Sequence, residues 1–160
     1  GVGLIACQWA KALGVTMIGT VGSDEKAALA KAHGCTHTIN YNKEDFVARV
    51  KELTGGKGVP VVYDSIGVDT FMKSLDCLAP MGMMVSYGSA SGPVPPFSLQ
   101  ELASRGSLFV TRPTLFTYTA TRSDLEASAN DLFEMVGSGK IKIEIHQRYA
   151  LKDEIGRAHV

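Results

Sequence analysis

The sequence predicts an α/β fold built on a doubly wound, mostly parallel sheet, and three observations carry that prediction. The chain opens on Gly1-Val2-Gly3, a glycine turn running straight into a helix-favouring stretch with Ala6, Ala10 and Ala12, which Gly14 stops. Apolar runs of strand length then alternate with helical patterns along the whole chain. The predicted strand ends carry glycine, serine and single polar residues, which suits a surface where a ligand approaches the backbone.

The elements follow in order. Residues 15–21 are a short apolar strand. Ser23 caps the next helix, with Asp24 and Glu25 in its first turn, and Gly34 ends it. Residues 36–40 are a strand. Residues 45–53 are an amphipathic helix with Phe46, Val47, Val50 and Leu53 on one face. Residues 59–64 are a strand with Pro60 near its start, where proline is tolerated. Asp69 is expected to cap a helix over 70–77, and 82–87 is the next strand. A loop rich in glycine and proline leads to a short helix over 98–104 and a strand over 107–111. Residues 112–121 read as loop, 122–138 as a long helix, 141–145 as a half-buried strand and 151–160 as a helix.

Composition narrows the function. With 160 residues the chain is one domain, long enough to bury a core. Lys and Arg balance Asp and Glu at 16 each, so there is no electrostatic case for nucleic acid or a membrane surface. Neither a membrane-spanning apolar run nor a signal peptide is expected. Cys7, Cys35 and Cys77 are scattered and odd in number, which argues against a disulfide framework or a zinc site and suits a reducing cytoplasm. They read as small buried apolar residues. His33, His37, His146 and His159 lack the spacing of a metal site or a triad. Ser65 has no nucleophile elbow around it, and Asp64 is assigned a structural hydrogen-bonding role.

The chemistry is expected at two places. The segment Gly1-Val2-Gly3-Leu4-Ile5-Ala6 fits G-x-G-x-x-A, and the N–H groups of a helix start there can hold a diphosphate. The alternative is a tight turn that packs helix against sheet, since the strand that the motif needs would precede Gly1. The second place is the end of the 15–21 strand. Dinucleotide folds place an acid there to hold the ribose hydroxyls, whereas this chain has Gly19-Thr20-Val21-Gly22-Ser23. Ser23, Lys26 and Tyr41 bring a hydroxyl, an ammonium and a phenol, which suit a 2′-phosphate. The alternative for Lys26 is a solvated helix lysine.

These stretches, together with Ile39-Asn40-Tyr41, Val62-Tyr63-Asp64-Ser65-Ile66-Gly67, Ser74-Leu75-Asp76-Cys77-Leu78 and Gly106-Ser107-Leu108-Phe109-Val110-Thr111-Arg112-Pro113, resemble the zinc-independent, zeta-crystallin-like quinone oxidoreductases of the medium-chain dehydrogenase/reductase superfamily. The resemblance runs through essentially the whole chain. It implies a Rossmann-like NADPH-binding domain over residues 1–160, without its first strand and its C-terminal end, with a catalytic and substrate domain expected before Gly1. It also moves the glycine motif: Gly1 and Gly3 become the last two glycines of a longer turn. Gly1 and Val2 would then face the diphosphate, and Gly22, Ser23, Lys26 and Tyr41 the 2′-phosphate. Ile66, Gly67, Gly88 and Ser89 would pass under the nicotinamide half, with Thr111 and Arg112 near its amide.

The implied activity is hydride transfer from NADPH to a quinone, with a C=C reductase acting on enones or 2-haloacrylates as the alternative within the family. No residue of this chain is expected to be a catalytic acid or base, and no metal is expected. A homodimer through the apolar edge strand 107–111 is expected, and the isolated chain is expected to be inactive. Two readings of other classes stand beside it. An S-adenosylmethionine-dependent methyltransferase would also use a glycine turn, but it wants an acid at the second strand end. A crystallin-like, non-catalytic nucleotide-binding or structural protein would keep the fold without turnover.

Overall fold

The computed structural model describes residues 2–145 and 147–150. Helix α1 (Val2–Ala12) leads into β1 (Ile18–Val21), α2 (Asp24–Ala32), β2 (His37–Asn40), α3 (Phe46–Leu53), β3 (Val59–Asp64), α4 (Phe71–Asp76) and β4 (Leu78–Ser86). Then come α5 (Gln100–Ser104), β5 (Phe109–Thr111), α6 (Leu115–Tyr118) and α7 (Arg122–Gly137). The strands form two parallel sheets, β1-β2 and β3-β4-β5, with helices between successive strands. This is the expected α/β class.

Three apolar clusters hold the layers. Cys7 of α1, Ala30 of α2 and Cys35 pack with Met17 and Val21 on one side of β1. Ile39, Val50 and Cys77 form a second cluster, into which Ile18, Phe46, Val59 and Val62 also pack. Phe71, Leu75, Leu78, Met84 and Leu108 form the third, again with Val59 and Val62. Val59 and Val62 of β3 therefore pack into both the second and the third cluster. The cysteines are small core residues here, and all three are free thiols.

Local chemistry explains where elements begin and end. Gly14 (φ +68°) turns the chain after α1, and Val15 N donates back to Ala10 O. Met17 O takes the N–H groups of Thr36 and His37, so the β1–β2 ladder starts at Ile18 rather than at residue 15. Ser23 caps α2 by accepting from Lys26 N at 3.2 Å, as its position implies. Strand β4 is longer than its pattern suggests. It pairs with β3 at Leu78, bulges past Pro80 and Met81, and resumes at Met83 opposite Val61.

Four expectations are corrected. Asp69 does not cap α4: Thr70 precedes the helix, and its hydroxyl donates to Asp64 instead. The stretch 112–121 holds a short helix, α6, begun by Thr114. Residues 141–145 form no strand. Gln8 of α1 takes the N–H of Lys142 at 2.8 Å and donates to its carbonyl at 3.1 Å, which satisfies that backbone without a neighbouring strand. Leu108 is buried in the third cluster, so of the expected apolar edge only Phe109 and Val110 of β5 are open, at 54% and 37% exposure. The predicted helix over 151–160 and the residues Gly1, His146 and His159 lie outside the described residues.

Candidate functional site

The first cluster forms at the ends of β1 and β2. These strands are parallel neighbours, and Val21 pairs with Asn40, so the residues that follow each strand meet. Tyr41 N donates to Val21 O at 3.1 Å. The Tyr41 hydroxyl lies directly against Gly22: a Cβ added there would sit 2.7 Å from Oη. Asn42 Nδ2 donates to Gly22 O at 2.8 Å and holds the turn. Gly22, Ser23 and Tyr41 are thus brought together. Lys26 lies one helical turn beyond Ser23 and is exposed.

The acid of this region is neutralised. Asp24 accepts from Lys43 Nζ at 2.5 Å and from Asn40 Nδ2 at 2.7 Å. Lys43 first, and Asn40 second, hold its carboxyl below the usual carboxylate range. Asp24 is therefore committed within its own turn, and the open groups around Gly22 are a phenol, a hydroxyl and a lysine. Nothing in the sequence singles out Asn42 and Lys43 beyond their position right after Tyr41. Only the strand pairing shows that they reach Gly22 and Asp24.

The second cluster forms at the ends of β3, β4 and β5. Asp64 ends β3, buried, and accepts four hydrogen bonds: Ile66 N at 2.7 Å, Gly67 N at 3.2 Å, Thr70 Oγ1 at 2.7 Å and Ser74 Oγ at 2.8 Å. It ties the turn after β3 to the start of α4, which is the structural role its position implied. The turn after β4 lies against this one. Tyr87 N donates to Asp64 O, Ala90 N to Ser65 O, Ser91 N to Ile66 O and Val68 N to Gly92 O. Both glycines are required by contact. A Cβ on Gly67 (φ +99°) would lie 2.3 Å from Gly92 O, and one on Gly88 would lie 2.6 Å from Ser65 O.

Ile66, Gly67, Gly88 and Ser89 are thus assembled into one backbone platform. Thr111 ends β5 opposite Val85, and Arg112 reaches across to the platform. Tyr63 and Tyr87 stand edge to face beside it, with ring centroids 6.4 Å apart. Val2 is the first residue of α1 and is exposed at its N-terminus, while Gly1 lies outside the described residues.

Other features lie apart from these clusters. A recess of about 410 Å³ is lined by Gln8, Lys11, His33, Lys140, Lys142 and Glu144, at the C-terminal ends of α1 and α2. It contains none of the expected site residues. Among the described residues, no group of three or more His, Cys, Asp or Glu could hold a metal ion. No described helix is long and apolar enough to cross a membrane.

Known proteins resemble this chain in sequence and fold. The chain is 58% identical over 159 residues to a quinone oxidoreductase of Pseudomonas aeruginosa, covering 99% of this chain and 49% of that protein. It is 49% identical over 160 residues to a 2-haloacrylate reductase of Burkholderia, covering 99% of this chain and 48% of that one. The crystal structure of Escherichia coli quinone oxidoreductase complexed with NADPH superposes with a TM-score of 0.87 at 54% identity, over 91% of this chain and 44% of that one. The chain spans about half the length of the curated relatives it matches. A family model described as zinc-binding dehydrogenase matches residues 1–139, so the chain belongs to that family, and within it is similar to quinone oxidoreductases.

Proposed function

We propose that this chain is the NADPH-binding half of an NADPH-dependent quinone oxidoreductase. The observation that carries this reading is the turn after β1. Gly22 lies under the Tyr41 hydroxyl, Ser23 and Lys26 flank it, and Asp24 is already paired with Lys43. A free carboxylate there would favour a bare ribose and repel a 2′-phosphate, whereas donors and a cation favour the phosphate. The glycines at both places are filled by protein contacts, Gly22 by Tyr41, and Gly67 and Gly88 by Gly92 and Ser65, so that Tyr41 at one end and Ile66 and Ser89 at the other are the exposed groups that fit the two ends of a dinucleotide. The structure of the Escherichia coli relative with NADPH supports the same cofactor.

In this reading the N–H groups that open α1, with Gly1 and Val2, receive the diphosphate. Gly22, Ser23, Lys26 and Tyr41 hold the 2′-phosphate. Ile66, Gly67, Gly88 and Ser89 support the nicotinamide half, and Thr111 and Arg112 border it. The bound cofactor supplies the hydride that reduces the quinone. The chain's part is to fix orientation, and no acid or base of its own acts on the substrate. The relatives are about twice as long, which supports a further domain that carries most of the substrate pocket. Zinc-independence and an inactive isolated chain belong to the same reading.

The homodimer is supported by β5, an edge strand among the described residues with Phe109 and Val110 open. A cytoplasmic location is supported by three free thiols. A second reading, reduction of a haloacrylate C=C bond on the same scaffold, is favoured by the Burkholderia relative. The test is turnover of the full-length protein with quinones, enones and 2-haloacrylates, with NADPH and NADH as donors. Fast oxidation of NADPH by quinones supports the proposal. Turnover confined to 2-haloacrylates selects the second reading, and binding of neither nucleotide removes both.

A further inference from the structure

We infer that Arg112 is a positioning residue, which acts on the nicotinamide end through the turn after β4 rather than by holding the cofactor itself. The inference rests on the NADPH reading above. Arg112 follows directly on β5, and Pro113 behind it confines its backbone to extended conformations. Its Nη1 donates to Ser86 O at 3.1 Å and to Gly88 O at 2.8 Å. Nη1 carries two N–H groups, so one nitrogen serves both carbonyls. These carbonyls flank Tyr87, at the point where β4 ends and the platform begins.

The turn is therefore held from two sides. From the β3 side, Gly88 is packed onto the backbone of Ser65, and Tyr87 N is bonded to Asp64 O. From the β5 side, the guanidinium draws the Ser86 and Gly88 carbonyls to a single point. Bonds to a charged donor are short and strong, and here they fix the direction in which the Gly88–Ser89 peptide faces. A displacement of about 1 Å at a reacting centre can cost about a hundredfold in rate. Arg112 can thus govern rate without touching a reacting atom. The 2′-phosphate cluster is built at the ends of β1 and β2, and the hydrogen bonds of Arg112 go to Ser86 and Gly88, not to it.

The experiment uses the full-length enzyme with Arg112→Met and Arg112→Lys. It measures kcat, KM for NADPH, and the inhibition constant of adenosine 2′,5′-bisphosphate, which carries only the adenosine end. Arg112→Met should lower kcat by tenfold or more, raise KM for NADPH by less than that, and leave the bisphosphate constant within about twofold. Arg112→Lys should recover much of kcat, because an ammonium can also donate to two carbonyls. An unchanged kcat in Arg112→Met overturns the inference. So does a bisphosphate constant that weakens as far as kcat falls, since the damage is then general. A lysine variant no better than the methionine one also overturns it. If the bisphosphate fails to compete with NADPH in the unaltered enzyme, the pocket reading falls, and the inference falls with it.

Discussion

Gly22→Ala isolates the contact on which the cofactor assignment depends. A methyl group at residue 22 meets Tyr41 Oη at 2.7 Å and Cζ at 3.2 Å, and Asn42 Nδ2 only at 3.7 Å. The backbone of Gly22 is not in the left-handed region, so alanine is not strained there by its φ. The obstacle is the far end of one side chain, and Tyr41 is 54% exposed, with room to swing outward. Stability should therefore change little, within about 1 kcal/mol, as for a surface substitution. What is lost is the placement of the phenol. A hydrogen bond to a charged group contributes about 1.5–3 kcal/mol, which corresponds to about ten- to a hundredfold in affinity. In the full-length enzyme, fluorescence titration should show NADPH binding weakened by that factor and NADH binding nearly unchanged. Tyr41→Phe, which removes only the hydroxyl, should lose a similar amount, and adding Gly22→Ala to it should cost little more, because both act on one contact. If Gly22→Ala weakens NADPH and NADH equally, the ring is not a phosphate donor and the pocket assignment is wrong.

Lys26→Ala should weaken NADPH by about tenfold and spare NADH, and added salt should erode the NADPH preference of the unaltered enzyme, since an exposed ion pair is screened. Asp64→Ala should destabilise the protein by at least about 3 kcal/mol in urea unfolding, because it strands four donors, each costing about 1–3 kcal/mol when buried unpaired. Burial, joined by Cys35 for Cys7 and by Asp76 for Cys77, pushes both thiols up to about 11 from an ordinary 9.0. The unfolded chain releases these protons first, so their contribution to stability is full below pH 9 and is lost as pH rises toward 11. At pH 8 a thiol reagent should label them only after unfolding, and rapid labelling in the native enzyme would contradict their burial. Phe109→Lys should shift the enzyme toward monomer in light scattering, by charging the open edge of β5.

Much of the fold was legible because its signals are local. Ser23 before two acids marks a helix start, and the apolar face of Phe46, Val47, Val50 and Leu53 marks α3, which packs Val50 into the core. Alternation misled at residues 141–145. Ile141, Ile143 and Ile145 alternate with Lys142 and Glu144, but only Ile141 is buried, while Ile143 and Ile145 are 50% and 67% exposed. Whether a backbone pairs depends on what lies beside it, and here that is the side chain of Gln8. The strand expected over 82–87 begins earlier, at Leu78, which is already paired with Val59, and it passes Pro80 and Met81 by a bulge.

The candidate site divides along the same line. Glycines announce themselves, because a bare backbone is needed where chains or ligands approach closely. Gly22, Gly67 and Gly88 all prove to be such places, each packed against a different partner. The side chains that hold those glycines in place carry no local mark. Asn42 reaches Gly22 only because Val21 and Asn40 are paired across two strands, and Arg112 reaches Gly88 from 24 residues away. Asp24 shows the consequence for reading charge. In the sequence it is an acid of the first turn of α2, placed there to suit the helix dipole. In the fold its carboxylate is taken by Lys43 and Asn40, so the charge that the pocket presents is set by residues two elements further on. Cofactor preference in such a site is a property of the strand pairing as much as of the motif.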